Sequence, residues 1–224
     1  MVNSDLLDID YTRDVIIISH PRSGSSWLQS CFPHVNCFEP FSRFLTIDFH
    51  GEDVHCAVPP TPKEYSSAAE FSAMVADTIG VLSRITKPKS VKIHSILLQS
   101  PDIVDWINAQ DATVIFLERR DKEKTFRSLL IAYSLNRWFG TINESSVTVD
   151  ITLAVDLYHR VNDPKIQINK NKLKHNIQTV YYEDLMLENK LVSSNPPAVK
   201  QNTTDVVIEN WDQIHEWMLS INLI

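Results

Sequence analysis

The stretch Asp14-Val-Ile-Ile-Ile-Ser-His-Pro-Arg-Ser-Gly-Ser-Ser-Trp-Leu28 decides the fold of this chain. Its apolar run Val15–Ile18 predicts a fully buried strand, because a strand covered on both faces has no polar side. The polar turn Pro21–Ser26 follows, and Trp27 and Leu28 start a helical pattern. A strand, a Gly/Ser turn and a helix in this order aim backbone N–H groups and the positive end of a helix at one point. The stretch therefore predicts an anion site, above all a phosphate site.

Strands and helices alternate along the rest of the chain. Apolar runs predict further strands at Val35–Phe38, Ser90–Ile93, Ala112–Leu117 and Gln178–Tyr181. Helical spacing predicts helices at Ser25–Phe32, within Lys63–Thr86, from Pro101, from Asp121, over Val149–Val161 and along a final face of Val207, Ile208, Trp211, Ile214, His215 and Met218. Loops are predicted at Gly51–Pro62 and Ser193–Thr204, and a solvated helix face at Lys165–Lys174. The alternation predicts an α/β fold, a three-layer sandwich with a central parallel sheet, in a single domain over residues 1–224.

Composition limits the partners and the compartment. The formal net charge is −7, so the chain lacks the overall positive charge of a nucleic-acid-binding protein. No apolar run approaches the ~20 residues of a membrane helix, and the N-terminus lacks a secretory signal pattern. We therefore expect a cytoplasmic protein with no nucleic-acid or membrane partner. The sequence does not determine the oligomeric state.

The cysteines carry little functional signal. There are three, at Cys31, Cys37 and Cys56, and an odd, low number argues against a disulfide framework. His34 and His55 lie among them, but the spacing matches no firm zinc pattern. Ordinary buried thiols are the favoured interpretation, and we expect no metal.

Three polar motifs follow predicted strands, where ligands bind in parallel sheets. In the first, Gly24 would admit an oxygen-rich group, Ser25 and Ser26 offer hydroxyls, and Arg22 supplies a cation. The nucleotide-triphosphatase loop G-x-x-x-x-G-K-[ST] is not matched, because only one glycine is present and no lysine precedes the serines. The alternative interpretation is a Ser-capped helix start after a turn.

The second motif places Arg120 at a strand end and Ser128 eight residues later, inside the next helix. Its alternative interpretation is a surface arginine paired with nearby carboxylates. The third motif, Val91–Ser95, puts Lys92 and His94 on one side of a strand, which suits a general base beside an anion site. A structural histidine is the alternative.

Together these motifs resemble the PAPS-dependent sulfotransferases, where PAPS is 3′-phosphoadenosine 5′-phosphosulfate. The family loop P-[KR]-[ST]-G-[ST]-[ST]-[WF] matches Pro21–Trp27, and the family's arginine and serine, eight residues apart, match Arg120 and Ser128. The K-x-H of cytosolic members matches Lys92-Ile-His94, and a common Tyr-Glu-Asp-Leu matches Tyr182–Leu185. The resemblance covers roughly Val15 to Leu185 and implies the P-loop-like sulfotransferase fold.

The resemblance implies a role for each matched residue. Arg22 would neutralise the leaving group, the loop would hold the 5′-phosphate, and Lys92 would share the sulfuryl oxygens. The implied donor-binding residues are Arg22, Ser23, Gly24, Ser25, Ser26, Trp27, Arg120, Ser128 and Tyr182. The base is left open between His94 and Glu39, since Phe38–Phe41 is similar to the E-P motif of carbohydrate members. Trp27 would stack on adenine or anchor the core.

Two departures from the family pattern stand out. The loop cation is Arg22, as in carbohydrate and tyrosylprotein members, where cytosolic members carry lysine. The C-terminal R-K-G-x-x-G-x-W segment that binds adenosine is missing, so the sequence leaves open how the adenine is held.

The expected enzyme moves a sulfuryl group from PAPS to a hydroxyl or amine of a small-molecule or carbohydrate acceptor, without a metal. Loops at Phe41–Pro62, Asn136–Thr148 and Met186–Thr204 would form the acceptor pocket. Two alternatives remain open. One is an atypical nucleotide or small-molecule kinase, and the other is a non-catalytic nucleotide-binding relative.

Overall fold

The computed structural model describes residues 9–38, 40–41, 46–49, 52–54, 68–136, 143–187 and 206–220. The chain divides into two compact units. The first unit runs to Glu118 and resumes over Pro164–Pro196, and the second comprises Arg119–Asp163 and Pro197–Ile224. The single sulfotransferase-like domain stays a prediction, and each unit is described by itself.

The described residues form nine strands and eight α-helices. The strands are β1 (Asp14–Ser19), β2 (Val35–Phe38), β3 (Thr46–Phe49), β4 (Glu52–Val54), β5 (Lys89–His94), β6 (Ala112–Glu118), β7 (Ser146–Val147), β8 (Ile177–Tyr181) and β9 (Val207–Ile208). The helices are α1 (Ser25–Ser30), α2 (Ala68–Leu82), α3 (Pro101–Ala109), α4 (Lys122–Ser134), α5 (Ile151–Val161), α6 (Pro164–Lys170), α7 (Tyr182–Leu187) and α8 (Trp211–Ser220). A 3₁₀ helix over Ser95–Gln99 follows β5.

The first unit is built on a seven-stranded sheet of order β4-β3-β2-β5-β1-β6-β8. The five strands from β2 to β8 run parallel, and β3 and β4 extend the β2 edge antiparallel. This confirms the α/β class with a central parallel sheet. After β1 the chain builds β2 and β5 on one side and then crosses to β6 on the other. The carboxyl end of β1 is therefore the switch point, where ligands bind in open α/β sheets.

Alternating side chains of β1 divide the core of the first unit into two layers. Val15 and Ile17 pack with Leu28 of α1 in one buried cluster. Ile16 and Ile18 lie in a second cluster, which includes residues of α2 and α3 such as Val75, Leu82, Ile103 and Ile107. Since successive strand residues face opposite sides, helices cover both faces of the sheet. The three-layer sandwich is confirmed.

The second unit has its own core around α4, α5 and α8. Its buried residues include Phe126, Leu130, Leu157, Ile214 and Met218. Two acidic N-caps start its helices: Asp121 accepts from the Lys124 N–H at 2.8 Å, and Asp150 accepts from the Thr152 N–H at 2.8 Å. β7 and β9 pair parallel as a separate two-stranded sheet.

Three predictions of secondary structure were wrong. The final helix does not include Val207 and Ile208, which form β9 because their backbone pairs with Ser146–Val147. The predicted loop Phe41–Pro62, with its segment Gly51–Pro62, contains β3 and β4, which pair with each other at the sheet edge. Both pairings join segments whose local pattern carries no strand signal. The predicted loop Asn136–Thr148 contains β7, which pairs with β9. The helix predicted from about Val149 is present and begins at Ile151, where Asp150 caps it.

Other predictions were right or lie outside the described residues. Pro164 ends one helix and opens the next, as a proline at the first helical position does. Lys165–Lys174 includes most of α6, with a buried Ile166 and Leu173. Ser193–Thr204 lies outside the described residues. Among the residues described, no helix combines the length and apolarity needed to cross a membrane.

Candidate functional site

The loop after β1 has an unusual backbone. Arg22 has φ 66° and Gly24 has φ 88°, so both adopt the left-handed conformation. That conformation suits glycine but costs a residue with a Cβ roughly 1–2 kcal/mol. Ser23 is buried, and its Oγ donates to the carbonyl oxygen of His20. Strained residues of this kind persist where the surroundings fix them, and they cluster at functional sites.

The loop leads into α1, whose first residues are Ser25 and Ser26. The Leu28 N–H donates to the Gly24 carbonyl at 3.0 Å, which closes the first turn. The N–H groups of a first turn have no partner within their own helix. The predicted arrangement of strand, polar turn and helix start is therefore present, at the switch point of the sheet.

A buried lysine reaches the loop from β5. Lys92 is only 3% exposed, and its Nζ donates to Ser26 Oγ at 2.8 Å. His94 is half-buried at the end of the same strand, two residues on. The pairing of β1 with β5 puts Ser19 opposite His94. The first and third sequence motifs thus meet at one end of the sheet.

Tyr182 lies against the loop from the start of α7. A Cβ on Gly24 would collide with its ring. The ring also packs edge-to-face on Trp27, with centroids 5.7 Å apart at 82°. Trp27 is half-buried at the margin of the cluster around Leu28. These contacts support the core interpretation of Trp27 and give Tyr182 a place beside the loop.

His20 and Ser95 were missed by the sequence reasoning. Ser95 is fully buried, and its Oγ lies 2.8 Å from His20 Nδ1. His20 lies in the opening stretch and Ser95 closes the third motif, but neither was singled out, and they lie 75 positions apart along the chain. The register of β1 against β5 pairs them, because it places the residues after Ser19 and His94 side by side, and no signal in the sequence gives that register.

The second sequence motif belongs to the other unit. Arg120 is exposed and precedes the Asp121 cap, and Ser128 is half-buried in the second turn of α4. Their role as a phosphate site stays a prediction. Glu39, the alternative base, lies outside the described residues.

The cysteine segment packs into the core. Burial raises the pKa of the Cys31 thiol to about 11, so the thiol keeps its proton at neutral pH. Its Sγ donates to the Trp27 carbonyl at 3.3 Å. His34 Nε2 donates to the Arg13 carbonyl at 2.9 Å, and Cys37 is buried. Within the described part of the chain, no group of three acidic, histidine or cysteine side chains is arranged to hold a metal ion.

No protein-family model matches this sequence, and no curated protein matches it. The function therefore has to be argued from the site itself.

Proposed function

We propose that this protein is a sulfotransferase that moves the sulfuryl group of PAPS to a hydroxyl or amine of a small-molecule or carbohydrate acceptor. One observation carries the choice of donor: Lys92 Nζ lies 2.8 Å from Ser26 Oγ. In Mg²⁺-dependent phosphate loops, a hydroxyl at the start of the helix ligates the metal. Here the corresponding hydroxyl accepts a hydrogen bond from a buried ammonium. A fixed cation in that position favours an anionic donor handled without Mg²⁺.

The transfer is an in-line displacement at sulfur. The acceptor oxygen or nitrogen forms a bond to sulfur as the bond from sulfur to the bridging oxygen breaks. The bridging oxygen leaves with that electron pair on 3′-phosphoadenosine 5′-phosphate. Such a transition state is loose and spreads its charge, so catalysis consists mainly of positioning and charge stabilisation.

Arg22, the loop backbone and Lys92 of β5 each have a role in this reaction. Arg22 neutralises the leaving oxygen, and backbone N–H groups of Ser23–Ser26 hold the 5′-phosphate. Lys92 binds the sulfuryl oxygens and also braces Ser26. Losing one such charge contact costs roughly 10²–10³-fold in turnover.

The acceptor proton goes to His94 or to Glu39. His94 is supported by its place on the same strand as Lys92, two residues farther along. Replacing each in turn (His94→Gln and Glu39→Gln) decides between them. The variant that removes the base loses about 10²–10⁴-fold of kcat together with the acidic limb of the pH profile.

The 3′-phosphate of the donor is assigned to Arg120 and Ser128 by the motif that they match. A guanidinium binds a phosphate through two parallel hydrogen bonds. This contact would separate PAPS from ATP, which has no 3′-phosphate. A cytoplasmic location belongs to the same proposal and is supported by the low cysteine count.

A kinase is the runner-up. It would need a carboxylate for Mg²⁺ at the carboxyl end of a strand next to the loop. Asp14 stands at the other end of β1, where it pairs with Lys89 at 2.5 Å. Glu118 stands at the carboxyl end of β6, beside β1, but it pairs with Lys170 at 3.4 Å. The residues that β5 presents beside the loop are Lys92 and His94, which are basic. A non-catalytic nucleotide-binding relative is the third possibility.

Two measurements test the proposal. Thermal unfolding is compared with 3′-phosphoadenosine 5′-phosphate and with ADP plus Mg²⁺, since a ligand of the native state raises Tm by mass action. Transfer of labelled sulfate from PAPS is then assayed on panels of phenols, sugars and amines. We expect a Tm rise with the 3′-phosphorylated nucleotide alone, followed by transfer.

The matched control for Arg22→Ala is Arg84→Ala. It makes the same charge change at an exposed position after α2. Arg22→Ala should lose about 10²–10³-fold of kcat, and Arg84→Ala should retain wild-type kcat. A Tm rise with ADP plus Mg²⁺ alone would replace this proposal with the kinase. Nucleotide binding without transfer to any acceptor class would indicate the non-catalytic relative.

A further inference from the structure

Two side chains without a role in the proposed mechanism join the ends of β1 and β5. Ser95 Oγ lies 2.8 Å from His20 Nδ1, and Ser95 is fully buried. His20 comes two residues before Arg22, and Ser95 comes directly after His94. The hydrogen bond therefore connects the segment that carries the leaving-group cation to the segment that carries Lys92 and a candidate base.

The backbone links the conformation of Arg22 to this hydrogen bond between His20 and Ser95. Ser23 Oγ donates to the His20 carbonyl oxygen, so a hydrogen-bonded turn closes around Arg22. Arg22 itself has φ 66°, which a residue with a Cβ adopts only where its surroundings hold it. His20 is thus fixed twice, through its ring by Ser95 and through its carbonyl by Ser23.

We propose that His20 is a positioning residue, whose ring, held by Ser95, keeps the Arg22 loop in the shape that faces the donor. This inference rests on the proposed sulfotransferase function. His20 acts through Arg22 and takes no proton from the acceptor. The Ser95 hydroxyl can donate to an unprotonated Nδ1 and accept from a protonated one, so the hydrogen bond is available in either charge state of the imidazole.

Asparagine and glutamine at position 20 separate the possible roles of the imidazole. Nδ1 of histidine is two bonds from Cβ, and so are the amide atoms of asparagine. Nε2 is three bonds from Cβ, as are the amide atoms of glutamine. His20→Asn therefore keeps a partner for Ser95, His20→Gln displaces it, and both remove the titrating group.

For a positioning role, His20→Asn should retain near-wild-type kcat. His20→Gln, His20→Ala and Ser95→Ala should each lose about 10²-fold of kcat, the cost of misplacing a reacting group by about 1 Å, with the acceptor KM unchanged. The double variant His20→Ala/Ser95→Ala should lose no more than either single variant, because both remove the same hydrogen bond. The acidic limb of the pH profile should stay in place in His20→Asn.

A readout without catalysis keeps this inference separate from the proposed function. Backbone amide chemical shifts of residues 22–26 are recorded for the unliganded full chain by NMR. His20→Asn should leave these shifts close to wild type, whereas His20→Gln and Ser95→Ala should move them. If the wild type neither binds the nucleotide nor transfers sulfate, the proposed function fails. The amide shifts then still test whether the hydrogen bond between His20 and Ser95 holds the loop in place.

Three results would overturn the inference. The first is a His20→Asn variant as impaired as His20→Gln, which would make His20 a titrating group. The second is a Ser95→Ala variant with wild-type kcat and amide shifts. The third is loss of the acidic limb in His20→Asn. If Ser95→Ala fails to fold, the comparison of His20→Asn with His20→Gln still tests the positioning role of His20.

Discussion

The ring of Tyr182 occupies the space that a side chain on Gly24 would need. The same glycine has φ 88°, so its identity is fixed twice, by backbone conformation and by an aromatic neighbour. Tyr182 in turn packs edge-to-face on Trp27, whose helix starts at the loop. An aromatic pair thus packs beside the predicted phosphate loop.

Gly24→Ala should lower stability and abolish nucleotide binding. The left-handed backbone alone costs about 1–2 kcal/mol, and the collision with Tyr182 adds to it. In the double variant Gly24→Ala/Tyr182→Ala, the loss of stability caused by the collision should disappear. The loss caused by the left-handed backbone should remain. Urea unfolding gives the free energies, and calorimetry with 3′-phosphoadenosine 5′-phosphate gives the affinity. A Gly24→Ala protein as stable as wild type would contradict the loop geometry.

The hydrogen bond from Lys92 to Ser26 predicts activity that needs no divalent metal. Turnover by the wild type should be the same with EDTA as with Mg²⁺, because the Lys92 ammonium binds the loop hydroxyl that would otherwise ligate the metal. Lys92→Ala should lose roughly 10²–10³-fold of kcat. Ser26→Thr, which keeps a hydroxyl, should be milder than Ser26→Ala. Strict dependence of the wild type on Mg²⁺ would refute this.

We expect Arg120 and Ser128 to bind the 3′-phosphate of the donor and no other part of it. Removing a hydrogen bond to a charged group costs about 1.5–3 kcal/mol. Ser128→Ala and Arg120→Ala should therefore weaken 3′-phosphoadenosine 5′-phosphate by about 10- to 100-fold and leave adenosine 5′-phosphosulfate unaffected. Lys122→Ala, an exposed cation in the first turn of α4, is the control. Equal weakening of both nucleotides would place the 3′-phosphate elsewhere.

His34 should make folding stability fall in mild acid. Burial lowers its pKa below the ordinary 6.5, against the opposing effects of the Arg13 carbonyl and Asp14. Below about pH 6.5, an unfolded chain takes up a proton that the folded chain resists, so the free energy of unfolding falls as pH falls towards the folded pKa. His34→Gln should flatten this part of the profile, as measured by urea unfolding from pH 7.5 to about pH 5. An unchanged slope would mean that His34 is not the group responsible.

Cys31 should resist alkylation in the folded protein. With its pKa raised to about 11 by burial, its thiolate fraction at pH 8 is roughly a hundredth of that of a thiol with the ordinary value of 9.0. Iodoacetamide labelling followed by peptide mass spectrometry should show slow modification in buffer and rapid modification in urea. Rapid labelling of Cys31 in buffer would show that the segment opens readily.

The sequence predicted the central part of the first unit because the signals there are local. The apolar runs Val15–Ile18 and Ala112–Leu117 are long enough to indicate buried strands without any knowledge of their neighbours. Pro101 in the first unit and Asp121 in the second marked helix starts through chemistry that operates within one turn. The strands β3 and β4 at the sheet edge and the short strands β7 and β9 were missed, since each is stabilised by pairing with a partner strand.

By itself, the sequence determined the α/β class and the loop at the end of β1. The spacing of apolar residues and the residue types of a turn depend only on residues that are close together in the chain. Only the tertiary structure decided what surrounds that loop. Ser26 meets Lys92 across 66 positions and His20 meets Ser95 across 75. The pairing of β1 with β5 sets the second contact, because strand register fixes which side chains lie opposite each other. The first depends also on the packing of α1 against the sheet, and no local pattern encodes either.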